Sequence, residues 1–122
     1  MRHRIGKATL NRPADQRKAM LRNLMTSLFL ERSVKTTNAK AKVLQAEAEK
    51  LITLIKRSLE KNEEFNAIRD VKQVLFTEPS QRSAIEFAKL SQKTSGFTRA
   101  TRLGVRDGDS ALIMQVDLIS EK

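Results

Sequence analysis

The spacing of apolar residues changes once along these 122 residues, and that change limits what the chain can fold into. Through most of the sequence apolar side chains return every three or four positions, the period of a helix. Towards the C-terminus they return every two, the period of a strand. Met20, Leu21, Leu24, Met25, Leu28 and Phe29 form the first helical stripe, and Arg17, Lys18, Arg22 and Asn23 fill much of the remaining circumference. Pro13 suits the first helical position, where its missing N–H is not needed, and Asp15 complements the helix dipole. The pattern predicts an amphipathic helix of about five turns with one buried and one basic face.

A second helix is expected from near Asn38 to about Arg57, with Leu44, Ala48, Leu51, Ile55 and Leu59 as its stripe and Ile52 widening it. Glu47, Glu49 and Lys50 predict that its far half faces solvent. Between these helices Ser33-Val34-Lys35-Thr36-Thr37 is short and β-prone. Asn62-Glu63-Glu64 starts a third helix with Phe65, Ile68, Val71 and Leu75 on one face. Glu78-Pro79 ends it and opens a fourth, carrying Ala84, Ile85, Phe87 and Ala88. Residues 91–96 read as a loop.

The period then shortens. Thr101, Leu103 and Val105 alternate with Ala100, Arg102, Gly104 and Arg106, and Leu112, Met114, Val116 and Leu118 alternate with Ile113, Gln115 and Asp117. Asp107-Gly108 supplies a hairpin turn, since both residues tolerate positive φ. A lone hairpin is marginal in water, so its apolar face is expected to pack on the helices, with residues 33–37 as a third strand. Residues 1–12 show neither period and read as an extended basic arm. The remainder, residues 13–122, is long enough for one domain with one modest core.

Charge is placed as unevenly as the periods. Residues 1–42 hold eleven Lys and Arg against Asp15 and Glu31, a net +9 of the chain's +10. Residues 43–90 are balanced, and residues 91–122 carry +1. Such asymmetry points to a polyanionic partner. Arg is used more than Lys in the first 32 residues, and its planar fork suits phosphate. Arg2, Arg4, Lys7 and Arg12 on the arm and Arg17, Lys18 and Arg22 on the first helix offer successive phosphate-binding surfaces. Thr98, Arg99, Arg102 and Arg106 offer a second patch on the hairpin. With five Phe and no Trp or Tyr, base stacking cannot dominate, although Phe97 could serve as a stacking platform or as a core residue. Recognition of backbone and shape fits better.

Groups for catalysis are scarce. The single histidine, His3, lies on the arm, without a rigid framework to hold it as a base. Asp107 and Asp109 flank a glycine, and turn chemistry explains them better than a metal does. Glu63 and Glu64 are adjacent on a helix and diverge. No phosphate-cradling glycine loop, zinc spacing or nucleophile–base set can be assembled, so neither an enzyme nor a cofactor is expected. The absence of Cys excludes disulfides and thiolate metal sites. No apolar run reaches the roughly 20 residues a bilayer requires. Neither a membrane nor a small-molecule substrate is expected as partner.

Several ordered motifs resemble the bacterial family of large-subunit ribosomal protein seventeen. They are Met1-Arg2-His3-Arg4, Leu10-Asn11-Arg12, Ala19-Met20-Leu21-Arg22-Asn23-Leu24 and Ser27-Leu28 in the first third. Lys35-Thr36-Thr37, Ala39-Lys40-Ala41-Lys42 and Glu49-Lys50-Leu51-Ile52-Thr53-Leu54 follow, then Gly96-Phe97-Thr98-Arg99 and Gly104-Val105-Arg106-Asp107-Gly108-Asp109. The chain departs from the family at Gln16, Leu30, Phe97 and Val105, and its middle, residues 58–94, matches poorly. The resemblance implies an α+β domain of helices on a small, mostly antiparallel sheet. It also implies a non-enzymatic structural role on the large ribosomal subunit, bound to large-subunit ribosomal RNA near the exit of the peptide tunnel, beside neighbouring large-subunit proteins. By matching position it implies RNA contacts at Arg2, His3, Arg4, Asn11, Arg12, Arg22, Lys35, Thr36, Thr37, Lys40, Lys42, Thr98, Arg99 and Arg106. Lys7, Arg17, Lys18 and Arg102 are candidates on charge alone. Cytoplasmic, ribosome-bound protein is the expected location, and a start at Met1 without a presequence favours a bacterial over an organellar ribosome. The competing reading is a stand-alone nucleoid-type DNA-binding protein, which no helix-turn-helix spacing supports. A module binding an acidic protein is the third.

Overall fold

The computed structural model describes residue 10 and residues 12–119. Most of the expected arm, with Arg2, His3, Arg4, Lys7 and Asn11, lies outside the described residues. The elements are α1 (Ala14–Glu31), β1 (Ser33–Thr37), α2 (Asn38–Glu60), α3 (Glu64–Val74), α4 (Glu78–Leu90), β2 (Thr98–Val105) and β3 (Leu112–Leu118). The strands form one antiparallel sheet in the order β1-β3-β2, giving the α+β architecture expected of the chain.

Helix α2 is the centre of the molecule. Ala41, Leu44, Ala48, Leu51, Ile52 and Ile55 are all buried on it, and it packs against the other three helices and all three strands. Burying each large aliphatic side chain stabilises the fold by roughly 1.5–3 kcal/mol, so this stripe carries much of the core. The far half of α2 does not face solvent as its charges suggested. Leu51, Ile52, Ile55 and Ser58 are buried there, because Glu47, Glu49 and Lys50 occupy only the flanks of an uninterrupted stripe.

Helix α1 differs from expectation in where its boundary falls. Met25, Thr26, Leu28 and Phe29 are buried, whereas Met20, Leu21 and Leu24 are only half-buried. The helix is thus divided along its axis, with the C-terminal half in the core and the first two turns beyond it. In α3 the buried residues are Ala67 and Val71, followed by Leu75 just after the helix. Phe65 and Ile68, expected on the buried face, are 61% and 39% exposed. Ala67 lacks the bulk to hold α3 away from its neighbours, so the smaller residue takes the inner face and rotates the larger ones outward.

Antiparallel pairing sets the two faces of the sheet. Val34, Val116 and Ala100 lie opposite one another and pack on the helices. The expected inward set Thr101, Leu103 and Val105 is instead exposed, along with every residue from 101 to 110. A bulge between Arg102 and Gly104 leaves Leu103 unpaired, and Gly104 sits at φ 143°, a conformation that favours glycine. The turn is longer than Asp107-Gly108 alone implied. Arg106 N–H donates to the Ala111 carbonyl (2.8 Å), and the left-handed residue is Ser110 at φ 57°. Phe97 is fully buried and meets Phe87 edge to face, with centroids 6.5 Å apart, which settles its role as core rather than stacking platform.

Candidate nucleic-acid interface

The cations that sequence singled out fall into two groups: those the fold uses and those it leaves outward. Arg22 is used. Its Nε donates to the Val74 carbonyl (3.0 Å), and its guanidinium lies 4.0 Å from the Phe76 ring centroid. One turn later the Thr26 hydroxyl accepts from the Phe76 N–H (3.1 Å). Arg22 and Thr26 share one side of α1 at an i,i+4 spacing, so together they fasten the α3–α4 connection to the first helix. Lys18 is one turn earlier in the same row. The row therefore changes from basic at its start to apolar at Met25 and Phe29, in place of the expected split around the circumference. Opposite that row, Gln16, Ala19, Met20, Asn23, Leu24 and Ser27 line a shallow groove with Arg12 at its end.

Thr98 is also engaged. Its N–H and its hydroxyl both donate to Glu49 Oε1 at 3.0 Å, tying the start of β2 to α2. Nothing local signals this role for Glu49, since an acid beside Lys50 in a mixed run reads as solvated. Arg106 pairs with Asp109 through Nε to Oδ1 (2.9 Å) and a second contact from Nη2 to Oδ2. That hydrogen-bonded pairing, aided by the Ala111 N–H, lowers the Asp109 carboxyl to about 2 and raises Arg106. The two aspartates around Gly108 thus belong to turn and ion-pair chemistry.

Among the described residues, Arg12, Arg17, Lys18, Lys35, Lys40, Lys42, Arg99 and Arg102 form no ion pair. Register shows which of them can act together. Ser33, Asp117 and Arg99 are aligned across the sheet, as are Lys35, Gln115 and Thr101, and all lie on the face turned away from the helices. Lys35 and Arg99 therefore share one open face, two strand spacings and two residues of register apart, about 12 Å in all. Asp117 lies between them and accepts from the Gln115 amide (2.9 Å). Thr36, Met114 and Arg102 belong to the opposite face, where Thr36 is half-buried and Arg102 is exposed beyond the packed region.

The strand then runs directly into α2. Thr37 is the N-cap but makes no side-chain cap bond, no acid lies in the first turn, and Lys40 and Lys42 follow. Positive charge at that end is unfavourable by a few tenths of a kcal/mol, a penalty that a bound anion would reverse. Lys35 and Thr37 on the open sheet face thus lead into the start of α2, where Lys40 and Lys42 diverge around the helix axis at an i,i+2 spacing. Gln115 and Thr101, which sequence did not single out, share that face through their pairing with Lys35. Their only signal was period-two alternation, which needs the register before it identifies neighbours.

Comparison with known proteins gives consistent results. The family model described as Ribosomal protein L17 matches residues 20–119. A protein of Desulforapulum autotrophicum named large ribosomal subunit protein bL17 is 42% identical over 126 residues, covering 100% of this chain and 99% of the relative. A Clostridium botulinum protein of the same name is 40% identical over 116 residues, covering 93% and 98%. A third, from Desulfosudis oleivorans, is 37% identical over 98% of this chain, which spans 56% of that longer relative.

Proposed function

The chain belongs to the ribosomal protein L17 family, and from that premise we propose that it is a structural, non-enzymatic constituent of the large ribosomal subunit. In this reading it binds large-subunit ribosomal RNA near the peptide tunnel exit, in the cytoplasm of a bacterial-type cell. The single observation that carries the RNA contact is the set of unpaired cations running from the root of the arm through α1 and β1 to the start of α2. An ion-paired surface would have to break its own pairs to meet phosphate, and among the described residues these cations form none. Lys35, Lys40, Lys42 and Arg99 meet the phosphate backbone at the open sheet face and the α2 start, with Thr37 as a hydroxyl donor. Arg12, Arg17 and Lys18 continue the contact towards Arg2, His3, Arg4, Lys7 and Asn11. Arg102 extends it along the projecting hairpin, and Arg106 joins it there by exchanging its Asp109 partner for phosphate. Arg22, Thr36 and Thr98 support the RNA-facing elements from within.

Sedimentation of a cell lysate through a sucrose gradient, at moderate and at high salt, tests the reading. Co-migration with the large subunit in both conditions is the expected result. A chain that stays at the top of the gradient, or travels with DNA until nuclease is added, would return the nucleoid-type reading to first place.

A further inference from the structure

The side of the molecule built by α3 and α4 has a different chemistry. Of the five Phe, three are core, and the two that are exposed, Phe65 and Phe76, lie at the two ends of α3. A groove runs between α3 and α4 with Val71 in its floor and Ile68, Phe76 and Ile85 along it. Ile68 and Phe76 are 39% and 47% exposed, so the groove presents apolar surface to water where a buried face was expected. Its rim holds Glu64, Glu78 and Glu86 against Lys72, Arg82 and Lys89, which cancel. Four of these six are satisfied within the chain, because Lys89 bonds Glu64 across the groove (2.8 Å) and Arg82 bonds Glu78. The remaining two, Lys72 on α3 and Glu86 on α4, have no partner among the described residues and are exposed on opposite walls.

We propose that this groove is the docking site for an amphipathic helix of a second protein on the large subunit. The occupant carries an apolar stripe flanked by an acidic residue on the α3 side and a basic residue on the α4 side. The inference rests on the proposed function only for where that partner resides. Phosphate gains nothing from a rim of zero net charge, which separates this site from the cationic surface. A helix laid over two helices inserts its apolar ridge between them, and exposed aromatic and aliphatic anchors in such a groove dominate affinity. The two unpaired charges of opposite sign then fix the direction in which the occupant lies.

The test uses the full chain with the photo-crosslinking residue benzoylphenylalanine in place of Ile68, assembled into purified large subunits and irradiated. The expected product is a cross-link to a protein peptide with helical apolar spacing and one residue of each charge beside it. Exchanging the wall charges, Lys72→Glu with Glu86→Lys, is expected to lower the yield about tenfold, with unchanged circular dichroism and unchanged entry into the subunit. A cross-link to RNA, to a second copy of this chain, or to nothing would overturn the proposal, as would a yield indifferent to the charge exchange. If the wild-type chain does not enter large subunits, the functional reading fails and this inference falls with it. If it enters and the groove stays unlinked, only the inference fails.

Discussion

The segment from α1 to the start of α2 and the pair α3–α4 use the same kinds of charged residue in opposite ways. In the first, Arg12, Lys18, Lys35 and Lys42 are exposed and form no ion pair among the described residues. In the second, Lys89 and Arg82 are tied to Glu64 and Glu78, and the exposed surface between them is apolar. Surface ion pairs of that kind add little stability, with a typical contribution of about 0–1 kcal/mol. Their effect here is to neutralise a wall without removing its polarity. Unpaired charge signals a partner that brings the opposite charge in quantity, and paired charge around exposed Phe and Ile signals one that brings apolar surface.

The largest expected effect separates these two regions directly. Reversing Lys35, Lys42 and Arg99 to Glu together is expected to weaken binding to large-subunit RNA by about a hundredfold and to make its salt dependence shallower by about two to three counterions. Exchanging Glu64 and Lys89 should change neither, and filter binding across a salt series measures both. Equal losses would erase the distinction between the surfaces.

A second substitution sharpens the boundary between binding and folding. Arg22→Ala removes the bond to the Val74 carbonyl and the contact with the Phe76 ring, and about 1–2 kcal/mol of stability should go with them in urea denaturation. Loss of RNA affinity without loss of stability would move Arg22 to the cationic surface. Thr98→Val is smaller. It deletes the hydroxyl bond to Glu49 while keeping the backbone one, and a cost of about 1 kcal/mol is expected by the same measurement.

Least of all should depend on the hairpin tip. Asp109 titrates at about 2 in the folded chain, below the ordinary 3.8, so its pairing with Arg106 favours the folded form above that ordinary value. The contribution is lost as pH falls from 3.8 through about 2. Asp109→Asn should flatten this acid limb, read by thermal denaturation between pH 5 and 2, roughly the window in which a paired carboxylate gains its proton. A limb unchanged by the substitution would show that the pair does not stabilise the turn.

The four helices and three strands were legible because each depends on period and punctuation, which are local. Pro13, Asn38 and Glu78-Pro79 mark helix starts within a residue or so of where they occur. The faces were less legible, because a face is decided by what lies opposite. Ala67 rather than Phe65 is buried in α3 since closeness of approach favours the small residue, and a hydrophobic count ranks them the other way. Arg22 reads as a phosphate-facing cation until the Val74 carbonyl, 52 positions later, is brought beside it. Glu49 likewise acquires its role from Thr98, 49 positions away. For the interface, sequence supplied the charges, and the strand register added that Lys35 and Arg99 share a face that Thr36 and Thr98 do not.

The bulge in β2 has a consequence for the protein before it meets any partner. With the order β1-β3-β2, β2 is an outer strand whose free backbone groups could template pairing with another molecule. Leu103 drops out of the ladder, Gly104 turns the chain at φ 143°, and Arg99 and Arg102 stand along the same strand. An irregular, twisted and positively charged margin offers poor register to a second strand. At this margin of the sheet, edge-to-edge addition of a second copy of the chain is thereby disfavoured.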